Sequence, residues 1–214
     1  MFDKKQGLEK LSEFVSLSDL ASIDENDPAY VQTLISQVME LELKLRDQQS
    51  LIEDLEVDAM TDPLTGLVNR RVFESELYKS LAIVKRHKRK SAVLFIDVDA
   101  FKSINDQFGH LAGDCGLQHI AKILLKNVRP ADIVARIGGD EFCIILNEVT
   151  CSRDVIKRTE ILESLIARTP LIFDSKTIHL TASIGAKTFG TNDTFEGIMA
   201  AADSTMYQNK AIKS

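Results

Sequence analysis

With 214 residues and 44% hydrophobic content, the chain has material for one full core and a smaller appended element. A net charge of −6 and a pI near 5.3 exclude a surface built for nucleic-acid phosphates or anionic lipid, which needs a basic balance. The expected partners are small soluble molecules, with no nucleic acid and no membrane.

Cys115, Cys143 and Cys151 are odd in number and lack CxxC spacing, which points to free thiols in a reducing compartment. The opening MFDKKQGLEK has no apolar signal core, and no stretch approaches the roughly 18 apolar residues of a membrane span. A cytoplasmic location is predicted on these grounds.

Residues 1–30 are expected to be a separate segment of unknown role. Leu8, Leu11, Phe14, Val15 and Leu20 have loosely helical spacing before the break at ENDPAY. From Val31 the apolar residues fall into alternating steps of three and four: Val31, Leu34, Val38, Leu41, Leu45, then Gln48, Ile52, Leu55 and Ala59. A seam this narrow, with Glu, Lys, Arg and Asp at the outer positions, predicts a coiled-coil dimerisation stalk over 31–60. Gln48 in the seam would help to fix register. Asp62-Pro63 ends the stalk, because proline disfavours helical geometry in the residue before it, and a domain is predicted over 61–214.

Within it, residues 70–84 read as a helix and Lys85 to Lys90 as a basic turn. SAVLFIDV, residues 91–98, reads as a buried strand that ends in two carboxylates, Asp97 and Asp99. A helix at 100–107, a loop FGHLAGD and a helix from about Gly116 to Asn127 follow. Residues 133–137 and 142–146 are β-type segments joined by Gly138-Gly139-Asp140-Glu141, a hairpin with a glycine turn. A helix over 152–168, a strand over 177–187 and a helix over 194–211 complete the pattern. The order predicts an α+β sandwich with helices on one face of a mostly antiparallel central sheet.

Two acidic pairs, one at a strand end and one at a hairpin tip, make a hard, oxygen-lined site if the fold joins them. Such a site suits Mg²⁺, which binds through one or two carboxylates plus substrate phosphates.

The runs IGGDEF from Ile137, DPLTGLVNR at 62–70 and FIDVDAFKSINDQFGHLAGD at 95–114 together resemble the GGDEF family of diguanylate cyclases, over Asp62 to Lys210. The resemblance implies a domain like the palm of nucleotide polymerases and class III cyclases, condensing two GTP into cyclic di-GMP and two pyrophosphates across a homodimer. It makes Asp97, Asp140 and the Val98 carbonyl ligands of two Mg²⁺ ions, with Mn²⁺ as a substitute, and Glu141 a further ligand or the group that activates the 3′-hydroxyl. Gly138 and Gly139 would let the nucleotide approach and the turn take positive φ.

Asn105 and Asp114 correspond to the guanine-reading pair, since an amide and a carboxylate together meet guanine's O6, N1–H and N2–H. Lys102, Lys210 and the backbone N–H groups near Ala100 and Phe101 would hold phosphates. Arg129 and Asp132, in RPAD, resemble the family's RxxD inhibitory site for cyclic di-GMP. Where the family often carries Gly-Arg after the last-helix lysine, this chain has Lys213-Ser214, which implies either weaker GTP binding or a Lys213 that substitutes without the bidentate geometry of arginine. The competing reading is a catalytically weak GGDEF domain that serves as a GTP or cyclic di-GMP sensor or interaction module.

Overall fold

The computed structural model describes residues 28–213, so the predicted short helix before Pro28 lies outside the described residues. The chain divides into two compact units that meet between Glu56 and Val57.

The first described element is α1, a helix of 33 residues over Pro28–Met60. Proline suits a helix start, where its missing N–H would have had no partner, and the helix stops before Asp62-Pro63 as predicted. Of the predicted seam, Val38, Leu41 and Leu45 are 52%, 64% and 62% exposed; the side chains of Val31, Leu34, Ile52, Leu55 and Ala59 lie outside the described residues. The outer positions are less polar than the sequence reading supposed, since Ile35, Met39, Leu43 and Leu51 are exposed there as well.

In the second unit, β1 (Val68–Asn69), β2 (Ser91–Val98), β3 (Ile133–Arg136), β4 (Glu141–Leu146) and β7 (Ala182–Phe189) form a sheet in the order β1-β3-β4-β2-β7. Every pairing is antiparallel except β1 with β3. The helices are α2 (Arg70–His87), α3 (Phe101–Phe108), α4 (His110–Lys126), α5 (Ser152–Arg168) and α6 (Phe195–Lys213).

Strand alternation splits the core in two. Leu94 and Ile96 of β2 with Phe142 and Ile144 of β4 pack against Leu117, Ile120 and Leu124 of α4 and Leu162 and Ile166 of α5. Val93 and Phe95 with Cys143 and Ile145 pack on the other face against Phe73 and Leu77 of α2 and Ile198, Ala202 and Met206 of α6. Helices therefore cover both faces, where the sequence reading placed them on one. The central strands read as nearly unbroken apolar runs because both of their faces are buried.

Three local expectations change. FGHLAGD is not a loop: a left-handed Gly109 (φ 87°) ends α3, and α4 starts at once at His110. The expected strand over 177–187 is two, because Lys176–Ile178 is β6, the second strand of a small hairpin with β5 (Leu171–Phe173), and β7 starts only at Ala182. The basic run 85–90 is helical through His87 and breaks at Lys88, which is left-handed at φ 53°. All three cysteines are free; Cys143 is buried, and burial raises its thiol pKa.

Candidate active site

The acidic corner is assembled by register. Asp97, at the end of β2, stands opposite Glu141 on β4 and opposite Ser183 on β7. The Val98 N–H donates to the Asp140 carbonyl at 3.1 Å, which ties the strand end to the hairpin tip. Two acidic pairs separated by about forty residues of sequence thus occupy one end of one sheet. Alternation sends Asp97 to the face of Val93 and Phe95, where α6 packs, and Lys210 of α6 forms an ion pair with it.

That contact depends on Gly185. A Cβ there would lie 2.2 Å from both the Ala202 carbonyl oxygen and the Met206 nitrogen, so only glycine lets α6 seat this closely on β7. The Asn209 amide then donates to the Ile184 carbonyl at 2.8 Å, next to Lys210 in sequence.

Electrostatically the corner is overloaded. Burial raises the pKa of Asp97; Asp140 and Asp99 push it further up, and Lys210 opposes them. Glu141 is raised by burial and then by Asp140, Asp97 and Asp203, with relief from Arg70. Lys210 is raised by its pairing with Asp97. Crowded hard oxygen donors with one close lysine are a setting that a divalent cation relieves. Among the described residues no group of three or more His, Cys, Asp or Glu side chains is arranged to hold a metal ion by itself. Neighbouring carboxylates that do not close a cage suit Mg²⁺, which binds through one or two carboxylates and draws its remaining ligands from substrate phosphates and water.

The hairpin tip is held from outside. Arg136 donates to the Gly139 carbonyl at 3.2 Å and 2.7 Å and to both Asp62 oxygens at 3.0 Å. Asp62 also accepts from Thr65 N–H and Oγ1 at 2.8 Å and 2.6 Å. These contacts hold its carboxyl pKa down against the opposing effect of burial. The glycines act differently from expectation, since neither has positive φ. A Cβ on Gly138 would meet Glu141 Oε2 at 2.3 Å, whereas one on Gly139 would enter open space. Gly138 makes room for the Glu141 carboxylate, and Gly139 leaves the tip uncovered.

Glu141 borders a cavity of about 350 Å³ shared with Arg70, Glu74 and Asp203. The sequence reading missed Arg70 and Asp203, along with Asp62, Arg136 and Ser183. Arg70 lay within a quoted motif, and its place directly after the helix-capping Asn69 was the available signal.

Ala100 precedes α3 in a left-handed conformation with φ 51°, and no side chain caps the helix start. The first N–H groups of α3 are therefore without a side-chain acceptor. Lys102 is exposed on the first turn. Asn105 lies against Gly113, where a Cβ would fall 1.9 Å from Asn105 Oδ1. The α3–α4 junction thereby brings Asn105 beside the residue before the exposed Asp114.

Arg129 and Asp132 lie away from this corner. Asp132 Oδ2 accepts the Arg129 N–H at 3.0 Å and Oδ1 accepts the Asn147 N–H at 3.1 Å. Arg129 is exposed and borders a cavity of about 230 Å³ with Asp132, Lys157 and Arg158. The two cations on α5 were not visible from the RxxD pattern.

The family model for the diguanylate cyclase GGDEF domain matches residues 59–214. The chain is 36% identical to diguanylate cyclase DgcP of Pseudomonas aeruginosa, over 89% of this chain and 30% of that protein. The solved GGDEF domain of TpbB, also from Pseudomonas aeruginosa, superposes with a TM-score of 0.68 at 36% identity, covering 71% of this chain and 89% of that one. The coiled coil and GGDEF domain of DgcB from Caulobacter crescentus, solved in complex with c-di-GMP, gives a TM-score of 0.77 at 25% identity over 84% of this chain and 95% of that one. The chain belongs to the GGDEF family of diguanylate cyclase domains. It spans less than half the length of the curated relatives DgcP and TpbB. No helix among the described residues is long and apolar enough to cross a membrane.

Proposed function

We propose that this chain is a cytoplasmic diguanylate cyclase, in which each catalytic domain holds one GTP and two domains face each other to form cyclic di-GMP. Each 3′-hydroxyl attacks the partner's α-phosphate, two phosphodiester bonds form, and two pyrophosphates leave. The observation that carries the reading is the register of Asp97 opposite Glu141, with the hairpin tip tied to Val98.

Asp97, Asp140, Glu141 and the Val98 carbonyl would hold two Mg²⁺ ions, which when bound polarise the phosphates and neutralise the departing pyrophosphate. Lys210 pairs with Asp97 in the free protein and would contact the triphosphate in the GTP complex. The α3 N-terminus at Ala100 and Phe101, with Lys102, would donate hydrogen bonds to phosphate oxygens. Asn105 and Asp114 read guanine, whose donors and acceptor adenine does not match. Glu141 would complete the metal set or take the proton of the attacking hydroxyl, and beside bound cations its carboxylate would be ionised, as either role requires.

Positioning of two nucleotides supplies much of the rate, and a stalk that dimerises through Val38, Leu41 and Leu45 would supply the second domain. Cyclic di-GMP would bind back at Arg129 and Asp132 and hold the catalytic halves apart. Lys157 and Arg158 beside them add charge suited to its phosphates.

The test is turnover of GTP with Mg²⁺ by the full chain and by its Asp140→Ala and Glu141→Ala variants. Wild type should form cyclic di-GMP, and both variants should stay folded and lose at least about 10³-fold. GTP binding without product by the wild type would favour a sensor, and turnover by the variants would remove the metal-site assignment.

A further inference from the structure

Asp99 sits two residues from Asp97 and looks in sequence like the second half of a metal-binding pair. Its contacts say otherwise. The Asp99 backbone N–H donates to the Thr181 carbonyl at 2.9 Å, which extends the β2–β7 pairing one step past the ladder. Its Oδ1 accepts the hydroxyl of Ser183 at 2.7 Å.

Ser183 is fully buried and is one of only three buried polar side chains of the described core. A hydroxyl there needs a partner, because an unsatisfied buried donor is costly, and Asp99 supplies it. The next residue, Ile184, is fixed on the outer edge of β7 by side chains from two helices: its N–H donates to Glu163 Oε1 at 2.9 Å and its carbonyl accepts from Asn209 at 2.8 Å. Ser183 therefore projects from a firmly held point of the sheet.

Immediately after Asp99 the chain turns left-handed at Ala100, a conformation disfavoured for a residue with a Cβ. The first α3 hydrogen bond, Ile104 N–H to the Ala100 carbonyl, follows at 3.3 Å. A turn of this kind persists only where its surroundings over-determine it, and the two bonds at Asp99 are the anchors before it.

We infer that Asp99 is a positioning residue, latched by Ser183 to hold the Ala100 turn so that the first N–H groups of α3 face the substrate phosphates. The latch rests on the diguanylate cyclase reading above, because it acts through the phosphate cradle which that reading assigns. Two neighbouring carboxylates thereby take different roles, with Asp97 facing α6 and Lys210 while Asp99 is turned to β7.

The experiment measures binding of 3′-deoxy-GTP, which lacks the attacking hydroxyl, by calorimetry, together with KM, kcat and the Mg²⁺ half-saturation of turnover. It compares the full-length wild type with Ser183→Ala, Ser183→Thr, Asp99→Ala and Asp99→Asn. Ser183→Ala and Asp99→Ala should each weaken 3′-deoxy-GTP binding and raise KM by about tenfold, the loss of one hydrogen bond to a charged group. The effect on kcat should be much smaller. Ser183→Thr, which keeps the hydroxyl, and Asp99→Asn, which keeps an acceptor, should recover most of the affinity. The double alanine variant should be no weaker than Asp99→Ala alone, because both changes break one interaction. The Mg²⁺ half-saturation should stay at the wild-type value throughout.

A raised Mg²⁺ requirement in Asp99→Asn, with unchanged 3′-deoxy-GTP affinity in Ser183→Ala, would make Asp99 a ligand and overturn the latch. Should either alanine variant fail to fold, the threonine and asparagine variants carry the same comparison. A folded wild type that neither binds 3′-deoxy-GTP nor turns over GTP would remove the cyclase reading itself, a result distinct from a working wild type whose variants show no affinity change.

Discussion

The two aspartate-bearing turns at opposite ends of β3 and β4 use their carboxylates in opposite ways. At the 129–132 turn, both oxygens of Asp132 are engaged by backbone N–H groups, from Arg129 and Asn147. At the 138–141 turn, the clamp is delegated to Arg136 and Asp62, and Asp140 and Glu141 stay crowded with Asp97. One turn uses its acid to build structure. The other imports its structure from Arg136 and Asp62 and bears repulsion among its crowded acids.

The sharpest way to break this contrast is at the imported clamp. Arg136→Lys keeps the charge but loses the fork that reaches Gly139 and both Asp62 oxygens at once. We expect kcat/KM to fall by about 10- to 100-fold through displacement of the hairpin tip, read in steady-state turnover of GTP. An unchanged value would show that the tip holds itself.

At the other turn the two RxxD residues should come apart. Asp132→Ala should cost about 1–3 kcal/mol of stability, since it leaves two backbone donors without their acceptor, whereas the exposed Arg129→Ala should stay within about 0.5 kcal/mol. Urea unfolding of both variants measures this. Progress curves with added cyclic di-GMP should show Arg129→Ala relieved of inhibition with its initial rate intact. Unchanged inhibition in that variant would reject the site as a regulator.

The smallest effect concerns repulsion at the 138–141 turn. A carboxyl whose folded pKa is raised binds more protons folded than unfolded, so stability is fully present below its ordinary value, near 4.5 for glutamate, and is lost as pH rises through the raised one. Glu141→Gln should therefore raise the melting temperature of the metal-free protein slightly at neutral pH, and the gain should vanish in acid. Calorimetry across pH checks the sign; a loss at neutral pH would mean that Glu141 is stabilised by its neighbours.

Much of this was readable from the chain because the acidic pairs sit where patterns are strongest, at the end of the apolar run 91–98 and at a diglycine turn. Asp97, Asp140 and Glu141 needed only the pairing of β2 with β4 to meet. What escaped reading depends on distant partners. Asp62 and Arg136 are 74 positions apart, and nothing local in either says that they share a clamp. Ser183 looks like any polar residue of an alternating strand, and Gly185 like a weak point, until α6 is laid on β7. The start of α4 was hidden because HLAGD carries loop-like composition, although Gly113 is there to admit Asn105. The β5–β6 hairpin has strands of only three residues, too short for alternation to register.

The proposed mechanism makes the acidic corner half of an active site, completed only by a second domain. Wild type is mixed with Asp140→Ala at constant total protein, the subunits are allowed to exchange, and cyclic di-GMP formation is measured against the wild-type fraction. The rate should fall as the square of that fraction, because both facing domains must carry an intact corner. A rate that falls in direct proportion would show that one chain completes the chemistry alone and would contradict the two-domain mechanism.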